Sequence, residues 1–169
     1  FRLKKRPKNN PLIVHYYDLK KVKEDCILND NFLKLFKKLS PGPITFILNL
    51  KTNSKISKIA TNKKNTLAVR FPKHPITRSL LKKLKFPLAA PSANISSRLS
   101  AVTSSDVKDD FGEKIKYILE GGRSNIGVES TIIDLRKKPK ILRLGGLDIK
   151  TIQKILRKKV LLNINQIGR

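Results

Sequence analysis

The sequence predicts an α/β fold: one domain with a twisted mixed sheet and flanking helices. Three observations carry this. Apolar stretches of strand length alternate along the chain with stretches of helical periodicity. The alternation lacks the regular strand–helix–strand repeat of an all-parallel sheet, which points to mixed pairing. The length, 169 residues, suits one domain, and a hydrophobic content of 39% is enough for a core.

The elements follow in order. Leu12–Tyr16 reads as a buried strand between Pro11 and Asp18. Asn31–Leu39 places apolar residues at 32, 33, 35, 36 and 39, a helical spacing with Asp30 as the expected N-cap. Ser40-Pro-Gly-Pro43 breaks it, and Ile44–Leu50 reads as a strand. The polar stretch from Lys51 to Asn65 is a loop around a short helix. Leu67–Phe71 is a strand, and Pro75–Leu84 a helix opened by proline. Phe86–Ala90 is a short strand entering Pro91-Ser-Ala-Asn94. Thr103-Ser-Ser-Asp106 caps a short helix, with Asp106 near its positive end. Ile115–Leu119, Ser130–Leu135 and Lys140–Leu144 read as strands. After Gly145-Gly146, Leu147–Lys158 is an amphipathic helix.

Charge and cysteine usage bound the function. The formal net charge is +26, a field that attracts polyanions: nucleotide phosphates, RNA or an anionic surface. Lysine enrichment beside many Asn and Ile looks in part like codon bias, which does not account for so few acids. The apolar runs are too short to span a membrane, and no membrane partner is expected. The single Cys26 excludes an internal disulfide and a multi-cysteine metal site. No secretory-type segment opens the chain, so the expected setting is cytoplasmic.

Several short stretches carry chemistry. Lys4 and Arg6 flank Lys5 just ahead of a strand; as alternate residues of extended chain they would point the same way and clamp an oligophosphate. A solvated basic stretch is the other reading. Ser92 and Asn94 follow an apolar strand and would share a face, though a turn or helix cap is the usual role of such residues. Gly127-Val-Glu-Ser-Thr131 offers close backbone approach and hydroxyls, or simply a loop into a strand. His15 inside an apolar strand reads as structural before catalytic, His74 as a loop residue and Cys26 as inert. The usual nucleotide-loop, dinucleotide and zinc motifs are missing from the sequence.

In their order, seven stretches resemble the YrdC-like family of threonylcarbamoyl-AMP synthases. They are Lys4-Lys-Arg-Pro-Lys-Asn-Asn-Pro-Leu-Ile-Val-His15, Pro41-Gly-Pro-Ile-Thr45, Val69-Arg-Phe-Pro-Lys-His-Pro75, Ala89-Ala-Pro-Ser-Ala-Asn-Ile-Ser96, Glu120-Gly-Gly122, Gly127-Val-Glu-Ser-Thr-Ile132 and Leu142-Arg-Leu-Gly-Gly146. The resemblance runs to about Ile155. It implies a twisted α/β sheet forming a basic concave cavity, and a YrdC-like domain over residues 1–158 with a tail at 159–169. It implies an enzyme, a nucleotidyltransferase that makes threonylcarbamoyl-AMP and pyrophosphate from ATP, L-threonine and bicarbonate with Mg²⁺. The product would pass to the machinery that transfers the threonylcarbamoyl group to tRNA adenosine; tRNA or double-stranded RNA is a further expected partner.

By the same resemblance, Lys4, Arg6, Ser92 and Asn94 form a tetrad that holds the ATP phosphates and adenylate, with Lys4 and Arg6 catalytic. Arg70 and Ser130 would bind threonine, with His15 lining that pocket. Arg143 would contact the nucleotide. No metal-ligating residue is expected. The sequence departs from the family in three small ways: Ser40 stands where Trp is favoured, Ser97 where Gly follows the Ser-x-Asn-x-Ser stretch, and Leu144 where Pro follows Arg143. The family also opens with strands carrying Thr-x-Thr-x-Tyr-Gly-Leu. Here the sequence starts just ahead of Lys4, so an N-terminally incomplete domain is expected. Two competing expectations follow from that: an inactive RNA-binding domain, or a degenerate remnant.

Overall fold

The computed structural model describes residues 1–124 and 127–163. In chain order the elements are β1 (Ile13–His15), α1 (Leu19–Asp25), β2 (Cys26–Ile27), α2 (Asp30–Leu39), β3 (Ile44–Leu50), α3 (Lys58–Thr61), β4 (Thr66–Arg70), α4 (Pro75–Lys83), β5 (Leu88–Ala89), α5 (Ser104–Phe111), β6 (Thr131–Asp134), β7 (Lys140–Arg143), α6 (Ile149–Leu156) and β8 (Leu161–Leu162). The strands form one mixed sheet in the order β5-β1-β4-β3-β6-β7-β8, with β2 added to the end of β3. β1 runs parallel to β4 and β3 parallel to β6, whereas β3–β4 and β6–β7 are antiparallel.

Strand β3 is the centre of the sheet and is buried at Ile44, Phe46 and Leu48. Helices α2 and α6 pack together over one face, burying Phe32 and Leu35 from α2 and Ile152 and Leu156 from α6. Phe32 meets Phe46 edge-on at 5.0 Å between ring centroids, and Phe36 meets Phe71 at 4.8 Å. Each of the fully buried rings, Phe32, Phe46 and Phe71, contributes about 2 kcal/mol from area alone.

The structure departs from the sequence expectations at definite places. α1 and β2 were not anticipated: LKKVKED offers only Leu19 and Val22 as an apolar pair, too short a period to read, yet Asp18 caps the helix by accepting from Lys21 N–H at 3.1 Å. The N-cap of α2 is Asn29, not Asp30. Asn29 Oδ1 accepts from Phe32 N–H while its Nδ2 donates to Leu135 O, so one side chain serves both helix and sheet. Ile115–Leu119 forms no strand; it lies outside the sheet, with Tyr117 and Leu119 exposed. α6 is shorter than expected, starting at the Asp148 cap and ending where Arg157 turns left-handed at φ 54°. Beyond it, Val160 is buried in the core and Leu161–Leu162 pairs with β7, so part of the stretch read as a tail packs on the sheet. Residues 164–169 of that stretch lie outside the described residues. The capping box of Thr103 and Asp106 forms as expected.

Register positions the site. Across the sheet, Leu88 pairs with His15, His15 with Arg70, Arg70 with Thr45, Thr45 with Ile132 and Ile132 with Arg143. One row of neighbouring positions thus runs through five adjacent strands from β1 to β7. Paired residues present their side chains on a common face, so the row gathers a histidine, two arginines and a hydroxyl from distant parts of the chain.

Candidate functional site

Four cations gather around this row. Arg70 ends β4, and Arg143 ends β7. Arg143 Nε donates to Ser130 O at 3.1 Å, its Nη2 to Ser130 Oγ at 3.2 Å and its Nη1 to the Glu129 carboxylate. Ser130, buried, shares a 2.8 Å hydrogen bond with Thr45 Oγ1. The loop before β6 is therefore fastened to the end of β7 and the start of β3.

The other two cations come from the N-terminal segment. Its backbone is not extended, as the alternate-residue argument requires. Residues 2–5 form a turn in which Lys5 and Arg6 N–H donate back to Arg2 and Phe1 carbonyls at 3.0 Å each. Lys5 is left-handed at φ 51° and exposed, while Lys4 and Arg6 are both drawn inward. Lys4 Nζ donates to the backbone carbonyls of Ser92 and Asn94 and lies over the Phe111 ring. Arg6 Nη2 donates to Pro11 O at 2.9 Å.

The clustering shows in the ionisation of the group. Burial, and then the charge of Arg6, lower the pKa of Lys4. Burial is likewise the first cause for Arg6 and Arg70; Glu129 opposes the shift in both, and Arg143 adds to it. Arg143 is lowered by burial and supported by Glu129. Like charges held this closely favour an anion among them. Among the described residues, the Nε atoms of Arg6 and Arg70 are buried and lack a hydrogen-bond partner.

Lys4, Ser92 and Asn94 converge, but by main-chain contacts. The Asn94 amide donates to Ile95 O at 3.0 Å and Arg98 O at 2.8 Å, the turn-forming role open to it from the sequence; its Oδ1 is buried and unpartnered. The loop continues through Ser97, whose φ of 73° lies in the left-handed region, where the resemblance calls for glycine. Ser97→Gly is expected to raise stability by about 0.5 kcal/mol, the relieved strain outweighing the added freedom of the unfolded chain. Urea denaturation measures it; a loss of stability contradicts it.

His15 lies beside Arg70, its Nδ1 3.4 Å from Leu88 O. Burial, and then Arg70, push its pKa down to about 4. The imidazole is therefore neutral at pH 7, suited to lining a pocket that already holds arginines. Because the folded-state value is depressed, the unfolded chain takes up the proton first as pH falls. Stability is complete above about pH 6.5 and declines toward pH 4 by up to about 3 kcal/mol, a slope that His15→Gln flattens in acid denaturation experiments. Cys26 is buried and its thiol is pushed up to about 12 by burial, which leaves it protonated and inert.

Three contributors were not singled out from the sequence: Thr45, Glu129 and Asp110. Asp110 accepts from Ile95 N–H at 2.8 Å and pairs with Arg98, bracing the 91–98 loop. Thr45 and Glu129 sit in stretches that carried the resemblance, and that position was the only signal for them. A separate cavity of about 800 Å³ is lined by Val14, Asp25, Ala60, Phe86 and Ala89 with lysines around it, and none of the four cations borders it. Among the described residues no group of three or more His, Cys, Asp or Glu is placed to hold a metal, and no helix is long and apolar enough to cross a membrane.

Comparison with known proteins places this arrangement. A family model, Sua5/YciO/YrdC, described as "Telomere recombination", matches residues 1–145. The threonylcarbamoyl-AMP synthase of Pyrococcus abyssi is 38% identical over 164 residues, 92% of this chain and 46% of that protein. That of Schizosaccharomyces pombe is 36% identical over 176 residues, 90% of this chain and 43% of that one. The chain thus spans about half the length of these curated relatives. A crystal structure of P. abyssi Sua5 complexed with L-threonine superposes with a TM-score of 0.91 at 36% identity, over 96% of this chain and 48% of that one. Escherichia coli YciO, at 23% identity and a TM-score of 0.73, shares the fold. With the family model matched over residues 1–145 and relatives 36–38% identical over most of its length, the chain belongs to the Sua5/YciO/YrdC family.

Proposed function

We propose that this chain is the catalytic domain of a threonylcarbamoyl-AMP synthase, joining ATP, L-threonine and bicarbonate for threonylcarbamoyl modification of tRNA. The observation that carries the reading is the convergence of Lys4, Arg6, Arg70 and Arg143, with unpartnered Nε donors on Arg6 and Arg70. The names of the relatives and the L-threonine complex of the P. abyssi protein support it.

In this reading, the threonine amine captures bicarbonate as a carbamate, losing the elements of water. A carbamate oxygen then forms a bond to the α-phosphorus as the bond to pyrophosphate breaks. Such a displacement requires alignment and neutralised charge rather than a protein nucleophile. Lys4, on the carbonyls of Ser92 and Asn94, and Arg6, on that of Pro11, hold the phosphates. Arg70 takes the threonine carboxylate as a planar two-point partner, with Ser130 and neutral His15 beside it. Arg143 commits three of its five donors to Glu129 and Ser130 and shapes the nucleotide wall. Mg²⁺ would arrive on the triphosphate, screening its charge, because the cluster offers basic side chains and lacks a carboxylate cage.

Calorimetric titration tests the division of labour. The chain is expected to bind both ATP and L-threonine, and Arg70→Gln is expected to weaken threonine at least about tenfold while ATP affinity stays within about twofold, the loss of one charge-assisted pair. Equal losses for both ligands, or none, contradict it. The alternative reading, an RNA-binding domain without catalysis, rests on the net charge of +26. It would show as salt-dependent RNA affinity with no ATP or threonine binding.

A further inference from the structure

Glu129 is the carboxylate whose charge reaches all four cations of the cluster. It opposes the pKa depression of Lys4, Arg6 and Arg70, and it pairs directly with Arg143 Nη1. Its setting differs from that of the other embedded acids. Asp25 is held by Tyr16 Oη and Ser54 Oγ, and Asp134 by Arg136, each as a fixed structural acceptor. Glu129 is half-exposed and has Arg143 as its side-chain partner. Arg143 has other anchors, since its Nε and Nη2 are held by Ser130 O and Oγ independently of Nη1. The ion pair can therefore open without releasing the arginine.

We propose that Glu129 is a built-in counter-anion of the site, exchanged for the anionic group of the incoming nucleotide, and thereby selects multiply charged phosphates over simple anions. A singly charged anion offers the cluster little more than Glu129 already provides. A polyphosphate does, because its several charges neutralise Lys4, Arg6 and Arg143 together. The inference rests on the proposed function, in which Lys4 and Arg6 bind the phosphates of ATP and Arg143 borders the nucleotide. Glu129 is here a specificity-determining residue.

The test titrates inorganic triphosphate and inorganic phosphate into the chain and into its Glu129→Gln and Glu129→Asp variants across a range of salt. With the competing anion removed, Glu129→Gln is expected to bind triphosphate about tenfold more tightly, and to narrow the preference for triphosphate over phosphate. Its log Kd should depend on log salt with a slope steeper by about one, since no internal ion pair is broken on binding. Glu129→Asp keeps the charge and should stay near the unaltered chain. A merely structural Glu129 would leave the slope and the preference unchanged, and that result, or weaker triphosphate binding by Glu129→Gln, overturns the inference while the functional reading stands. Failure of all three proteins to bind triphosphate or ATP overturns the functional reading itself, and this inference with it.

Discussion

With Lys4 and Arg6 both replaced by alanine, pyrophosphate release from ATP is expected to fall at least about 10³-fold, because groups aimed at developing charge are each worth about two to three orders of magnitude in rate. The two residues differ in how they are held. Lys4 is tied to the carbonyls of Ser92 and Asn94, so its loss also loosens the 91–98 loop; among the described residues Arg6 is anchored through Nη2 to Pro11. Single variants therefore separate their roles. Lys4→Ala should lower both melting temperature and rate, and Arg6→Ala mainly the rate. Removing Arg6 relieves like-charge repulsion with Lys4 and Arg143, so Arg6→Ala is expected to leave the melting temperature unlowered. Rates within tenfold of the unaltered chain for the double variant would contradict this.

Gly145→Ala is expected to destabilise the fold by about 3 kcal/mol and to disable the site with it. A Cβ at this position would stand 2.0 Å from Glu129 O, 2.6 Å from Ser130 C and 2.7 Å from Thr131 N, all main-chain atoms that cannot swing aside. The same junction holds a clasp of hydrogen bonds. Gly145 N–H donates to Thr131 Oγ1 at 3.0 Å, Thr131 Oγ1 donates to Leu147 O at 2.9 Å and Gly146 N–H donates to Glu129 O at 3.0 Å. Displacing residues 129–131 would break these bonds and carry Ser130 away from both Arg143 and Thr45. The urea midpoint should fall with an unchanged m-value. A loss below about 0.5 kcal/mol contradicts the close approach.

What the sequence made legible follows from where the information lay. β3 and β4 are short apolar runs bounded by Pro43 or Asn65, so local pattern marked them. The Thr103–Asp106 box is likewise a local signal. α1 could not be read, since five of its seven residues are charged and its helicity depends on Asp18 and on packing of Val22. Ile115–Leu119 erred the other way, because strand propensity without a neighbouring edge makes no strand.

The candidate site divides similarly. Lys4, Arg6, Ser92, Asn94, Arg70, Ser130, His15 and Arg143 were named through the resemblance, and the structure gathers them into one region. Lys4 and Arg6 are brought inward by a turn with left-handed Lys5, not by the extended strand their alternate spacing suggests. Thr45 and Glu129 depended on register, since Thr45 faces Arg70 and Ser130 only once β3 pairs with β4 and β6. No local pattern contains that pairing.

The central claim is that this domain joins ATP to a carbamate made from threonine. Pyrophosphate release by the chain, followed with L-threonine and bicarbonate added separately and together, tests it most directly. Release that needs both additions, and disappears in the Lys4→Ala, Arg6→Ala variant, is the predicted result. Release that proceeds without threonine, or none at all from a folded chain that binds ATP and threonine, would contradict it.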